Sequence, residues 1–198
     1  MAYGNHRWGI EMNFEKVLWT LRAGLYSILY RNIQMPSYLG KPIIITKKGN
    51  LKIGKKTRIY PGIRCEIANN DSSVVIGNNV SIGQNFHVVS CNDALIIGND
   101  VTISGNVMIT NCDHNYQELG VHILDQKLEC KHTEIGNGCF LGYGCVIQAG
   151  TVLGKQCVVG ANSVVRGVFP DYSVIVGAPA KIKKQYNSEK EVWEKVSL

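Results

Sequence analysis

Asp113 and His114 stand side by side, followed by Asn115, where the most regular part of the chain gives way to its longest irregular stretch, 110–133. An imidazole has an unperturbed pKa near neutrality, so it can take a proton from an attacking hydroxyl or amine and return it within one turnover. His114 is therefore the candidate general base, against the plainer reading of a histidine that only satisfies loop backbone. Asp113 and Asn115 are candidates for orienting that ring or binding an acceptor, and a local turn role for Asp113 stays open. His87, His122 and His132 read as surface or loop residues with a lesser claim on an acceptor. A second group lies near the C-terminal end. Arg166, Lys181, Lys183 and Lys184 match a phosphate-bearing ligand, with a solvated basic tail as the alternative for any single lysine.

What positions these residues is a repeat. An aliphatic residue returns at every sixth place in Ile135, Leu141, Ile147, Leu153, Val159 and Val165, and small residues follow four places on at Cys139, Cys145, Thr151, Cys157 and Ser163. A helix repeats near 3.6 and a strand near 2, so a strict six marks a parallel β-helix in which each unit is one short strand and one bend. The same period gives Ile53, Ile59, Cys65, then Ile76, Ile82, Val88, then Ile97, Ile103, Ile109. Five triplets predict about five coils of a three-sided prism, preceded by an extended lead-in from Ile43 to Lys52. The irregular segments each follow the third unit of a triplet, so they should emerge at one corner, one above another. The interior should be packed solid, which puts function on the outside, under the longest loop.

Residues Asn13 to Ile33 carry Phe14, Val17, Leu18, Leu21, Leu25, Ile28 and Leu29 at helical spacing, with Asn13 as N-cap and Pro36 marking the exit. This helix reads either as packed on the prism or as lying in a membrane surface, since Lys16, Arg22 and Arg31 flank its apolar face. From Ser188 to Val196 a short helix is expected, with Ser188 as cap and Glu191 at the capping-box place. The organisation expected is an N-terminal helical segment over 1–42, a β-helix over 43–186 with a protruding loop at 110–133, and a helical tail over 187–198. The fold class is mainly β.

Neither a signal peptide nor a bilayer-spanning run is evident, so the chain reads as cytoplasmic, with peripheral contact at the inner membrane surface left open. The seven cysteines are odd in number and contain no CxxC pair. Cys139, Cys145 and Cys157 fall at the small inward slot and Cys65 at the large one, where cysteine acts as a compact apolar residue. Cys91, Cys112 and Cys130 lie in less regular segments and are open to reaction. The net charge of +6 favours an anionic ligand or surface, yet no nucleic-acid module or basic aromatic stripe is present. No nucleic-acid partner is expected. A zinc site would need three converging histidines; His87 and His114 lack a closely spaced third, so no metal is expected.

The repeat, the Asp113-His114 pair opening a long loop, and the closing Gly177-Ala178-Pro179-Ala180-Lys181 together make the chain resemble the hexapeptide-repeat acyltransferases, over roughly 51–186. The branch resembled is that of galactoside and maltose O-acetyltransferases, with the O-acetyltransferases of capsule and lipopolysaccharide synthesis. The resemblance implies a left-handed β-helix, a homotrimer, and a site between neighbouring subunits with His114 as base. It also implies acetyl-CoA as acyl donor and a saccharide acceptor. Gly142 or Tyr143 would offer a backbone amide to the oxyanion, Ala161 a backbone contact to the pantetheine arm, and Arg166, Lys181 and Lys184 charge to the phosphates. Two positions depart from the family: Phe140 replaces a frequent tryptophan and Val165 a frequent threonine. The reaction expected is acetyl transfer to a sugar hydroxyl; an amine of an amino sugar or antibiotic is the alternative acceptor, and a non-enzymatic interaction protein on the same prism is the third reading.

Overall fold

A computed structural model describes residues 14–196. The chain winds as a parallel β-helix of short strands on three faces. On the first face, Leu51–Ile53, Ser73–Ile76, Ala94–Ile97, Glu134–Ile135, Val152–Leu153 and Val168–Phe169 stack in order. The second runs from Tyr38–Leu39 to Ser173–Gly177, and the third from Ile44–Ile45 to Val164–Val165.

Register is kept by three columns of inward side chains. Ile53, Ile76, Ile97, Ile135, Leu153 and Phe169 lie on successive strands of the first face, directly paired. Leu39, Ile59, Ile82, Ile103, Leu141, Val159 and Ile175 do so on the second. Ile45, Cys65, Val88, Ile109, Ile147 and Val165 complete the third. All are buried, and burying each aliphatic side chain contributes about 1.5–3 kcal/mol of the folding drive. The inward cysteines behave as apolar fillers: burial pushes the thiols of Cys65 and Cys145 up to about 12.

Two boundaries move. The repeat begins one coil earlier than the sequence suggests, because Ile33, Leu39 and Ile45 already sit in the columns, Ile33 bridging to Ile53. The prism therefore has about six coils, and the lead-in belongs to it. At the other end the expected tail helix is absent. Ala180–Asn187 runs antiparallel to Ser173–Gly177, and Val192–Lys195 runs antiparallel to Ala180–Asn187. Asn187 Oδ1 accepts from the backbone N–H of Glu189 and Lys190, so a polar side chain that resembles a helix cap closes a hairpin turn instead. Tyr186 and Trp193 then meet edge-on across the strands, ring centres 5.6 Å apart.

Helix α1 (Phe14–Tyr30) lies against the first strand of the second face. Arg22 Nη1 donates to the Leu39 carbonyl at 2.9 Å, Trp19 meets Tyr38 at a tilt and Tyr60 edge-on, and Ala23 is fully buried in the end of the core. The expected N-cap, Asn13, lies outside the described residues.

The irregular segments do leave at one corner, between the third face and the first. Asn69 bonds Asn92, and Asn111 is wholly buried with its Oδ1 accepting from Cys91 N at 2.7 Å and its Nδ2 donating to Cys91 O at 3.1 Å. Cys91 is also joined to Cys130 by a disulfide, a pairing that no cysteine spacing signals. Replacing Asn111 with leucine orphans both backbone groups of Cys91 at about 1–3 kcal/mol each, so chemical denaturation should show about 2–6 kcal/mol lost with an unchanged slope. A loss within 0.5 kcal/mol would mean that this corner is hydrated.

Candidate active site

The longest loop leaves the third face after Met108–Thr110 and rejoins the first at Glu134–Ile135. Its stem is a two-stranded ribbon, Cys112–His114 against Leu128–Cys130. Lys131 N donates to Asn111 O at 2.7 Å, and Thr133 Oγ1 to Thr110 O at 3.3 Å, closing the base. Further out, Gln126 is buried in an otherwise exposed loop. Its Nε2 donates to the carbonyls of Glu118 and Val121, and its Oε1 accepts from Glu118 N. This glutamine shapes the loop tip, and no local spacing in the sequence marks it.

His114 is paired through its backbone to Leu128, while its ring is exposed and has no partner among the described residues. The main chain is therefore fixed and the imidazole nitrogens are free. Asp113 points to the opposite side of the ribbon, as successive strand residues do, and its Oδ2 accepts from Arg166 Nη2 at 2.5 Å. It therefore anchors the ribbon to the third-face strand two rungs above the one that launches the loop, rather than orienting the imidazole of its own chain. Asn115 N donates to Lys127 O at 3.0 Å, extending the ribbon by one step.

The residues expected to face an acyl donor divide into two groups. Gly142 and Tyr143 follow Phe140–Leu141 at the corner between the second and third faces, and Ala161 follows Val158–Val159 one coil higher. Gly142 N donates to Val159 O at 2.9 Å, and a Cβ on Gly142 would come within 2.6 Å of Ala161 N. This glycine serves coil stacking, and its amide is committed. The N–H groups of Tyr143 and Ala161 find no acceptor among the described residues, which leaves two unpaired turn amides one rung apart. Of the two oxyanion candidates, Tyr143 is the one with a free donor. Asn106 Nδ2 holds the Tyr143 hydroxyl from the coil below.

Lys181 and Lys184 are exposed on the hairpin strand, opposite Val176 and Val174, and so extend the second face. Arg166 instead follows Val164–Val165 on the third face, beside the loop, and is engaged by Asp113. Phe140 projects outward from the second face, whereas Val165 is fully buried, so its side chain contacts no ligand. Within one chain, then, Tyr143, Ala161, Lys181 and Lys184 lie toward one side of the third face and His114, Asp113 and Arg166 at its other edge.

Residues 132–167 match the family "Bacterial transferase hexapeptide (six repeats)". Over 180 residues the chain is 33% identical to WbbJ of Escherichia coli (strain K12), assigned to lipopolysaccharide biosynthesis as an O-acetyl transferase, covering 86% of this chain and 88% of that one. The chain belongs to the hexapeptide-repeat transferase family. It is an acyltransferase. Among solved structures, the N-acyltransferase AntD from Bacillus cereus, in complex with dTDP and 3-hydroxybutyryl-CoA, aligns at a TM-score of 0.70 with 16% identity, over 85% of this chain and 90% of that one. A galactoside acetyltransferase in complex with coenzyme A aligns at 0.54 with 20% identity, over 95% and 92%. Both share the fold.

The loop base also carries a titrating contact. His132 Nδ1 lies 3.0 Å from Asp93 Oδ2 and Nε2 3.3 Å from Glu134 Oε2, which raises the imidazole pKa and lowers that of Asp93. A raised histidine stabilises fully below its ordinary value and loses that contribution as pH rises through the folded value; a lowered aspartate loses its contribution as pH falls. Both contributions are present between about pH 4 and about pH 6.5. The groups are half exposed, so the effect is small. The stability difference between the natural chain and His132→Ala should be larger at about pH 5.5 than at about pH 8.5 in paired urea titrations. Equal differences would show that the contact does not form in solution.

Proposed function

We propose that the chain is an acetyl-CoA-dependent O-acetyltransferase acting on a sugar hydroxyl of a saccharide or polysaccharide precursor, with His114 as general base. The observation that carries the reading is the unpartnered His114 ring, presented on a hydrogen-bonded ribbon at the mouth of the only long loop among the described residues. The 33% identity to WbbJ, assigned as an O-acetyl transferase, supports oxygen as the accepting atom.

An alcohol is a weak nucleophile at neutral pH, whereas a thioester carbon is already electrophilic, so one base suffices. A ring nitrogen of His114 takes the hydroxyl proton as the alcohol oxygen bonds to the acetyl carbon. Negative charge develops on the thioester oxygen, where a fixed N–H donor acts; the free amide of Tyr143 supplies one. The C–O bond forms, the C–S bond breaks, and the imidazolium returns its proton to the departing thiolate. Lys181 and Lys184 face the phosphates of the donor, and the free Ala161 amide lines the path between.

The proposed assembly is a homotrimer. His114 and the amide pair sit on opposite sides of one face, and packing prisms side by side brings the His114 edge of one chain to the amide corner of the next. The outward second face, with Phe140 and Val158 exposed, offers an apolar surface for that contact.

The test follows thiol release from acetyl-CoA with a panel of saccharides that includes an amino sugar. Acceptor-dependent turnover should fall by about 100-fold or more in His114→Ala while donor binding persists, in line with the loss of a general base. Undiminished turnover in that variant would remove His114 from the chemistry, and turnover with the amino sugar alone would reassign the acceptor to nitrogen. The pair Lys181→Glu and Lys184→Glu should raise the donor KM by about tenfold or more, a change of about 1.4 kcal/mol, with kcat little altered.

A further inference from the structure

Helix α1 is mounted with its aliphatic side turned away from the prism. The side facing the coil is Trp19, Arg22, Ala23 and Tyr26, held by the contacts to Leu39, Tyr38 and Tyr60. Phe14, Leu18, Leu21, Leu25 and Ile28, spaced four, three, four and three apart, form one outward stripe with exposures of 77, 43, 64, 54 and 77%. Scattered apolar surface residues are ordinary, but a continuous row on one helix is not. Among the described residues no helix is long and apolar enough to cross a bilayer.

The charge around this stripe identifies what covers it. Residues 14–65 hold eleven lysines and arginines against one acidic residue, Glu15, whereas 66–198 hold nine against thirteen. The net charge of +6 is thus a strongly basic end attached to a mildly acidic body. Arg31, Lys41, Lys47, Lys48, Lys55 and Lys56 are exposed and have no acidic partner among the described residues. A second copy docked through the stripe would bring two such basic ends together, and their repulsion opposes that contact. An amphipathic helix ringed by cations matches an anionic interface, where its apolar face sinks to the acyl boundary and each nearby Lys or Arg adds attraction.

We propose that this end of the protein docks on an anionic bilayer surface, with α1 lying in the interface and the lysines of the first two coils against lipid phosphates. The placement leaves the site clear. Three rungs separate the first coil from the one that launches the long loop, roughly 14 Å at strand spacing. Docking is independent of the acyl-transfer reading, because no residue of the stripe touches the candidate site.

The full-length protein, free of detergent, is sedimented with vesicles of phosphatidylcholine alone and with about one third phosphatidylglycerol added, at about 0.1 and about 0.5 M salt. Binding is expected to the anionic vesicles and to weaken with salt. It should fall about tenfold or more in the exposed-site double variant Leu25→Glu, Ile28→Glu, and several-fold in Lys55→Glu, Lys56→Glu, which leaves the helix untouched and guards against a folding defect in the first. Thermal melts of the lipid-free proteins check that both remain folded. Absence of binding to anionic vesicles overturns the proposal, as does binding unchanged in both variants. A smaller lipid-free assembly for the helix variant would assign the stripe to a second copy instead.

Discussion

Coil-to-coil register is the constraint on which every other feature depends. Each strand contributes only one or two inward residues, so a strand is held by the rung below and the rung above rather than by its own length. Ile97 and Ile135 are paired neighbours although 37 residues lie between them, because the loop leaves the corner and returns one strand spacing higher. Asn111 and Thr133 satisfy the backbone at those two points, and the Asp113–Arg166 pair fastens the ribbon two rungs higher on the third face. Small residues keep the corners close enough to stack. A Cβ on Gly136 would lie 2.5 Å from Gly154 O, and one on Gly142 would meet Ala161 N, so substitution at either would wedge the rungs apart.

A column so regular has few groups left for chemistry. Inward side chains are packed, and the amides that continue the strands are spent in the ladder. What remains is what the ladder does not reach: the turn amides of Tyr143 and Ala161, the hairpin lysines, and an imidazole carried out on the loop. The division of these groups between two sides of the third face follows from the winding itself, since the loop leaves after the third strand of a coil and the free amides precede it.

The sixfold period was legible because Ile, Leu and Val recur at it with little interruption, and the stacking of the loops at one corner followed directly. The first coil was hidden because Ile33 also continues the helical pattern of α1, while Lys47 and Lys48 interrupt the approach to Ile53. The tail misled because Ser188 and Glu191 imitate a capping box, whereas cross-strand contact of Tyr186 with Trp193 is invisible in local spacing. The apolar stripe of α1 was plain in sequence, but periodicity states that a face exists and not which way it turns. His114 stands out in the sequence as a candidate base from its place at the break in the repeat, whereas separating Tyr143 from Gly142 as the candidate amide takes the hydrogen bonds.

The division of the site is most directly tested by co-expressing two differently tagged impaired chains, one carrying His114→Ala and the other Lys181→Glu with Lys184→Glu, purifying the mixed assembly and assaying it at a donor concentration well below the natural KM, where both parents are slow. If His114 of one chain serves the donor groove of its neighbour, random mixing restores about one site in four to the natural combination, and activity rises well above either parent. Activity that stays at the level of the parents would place base and donor on the same chain and contradict a site shared between subunits.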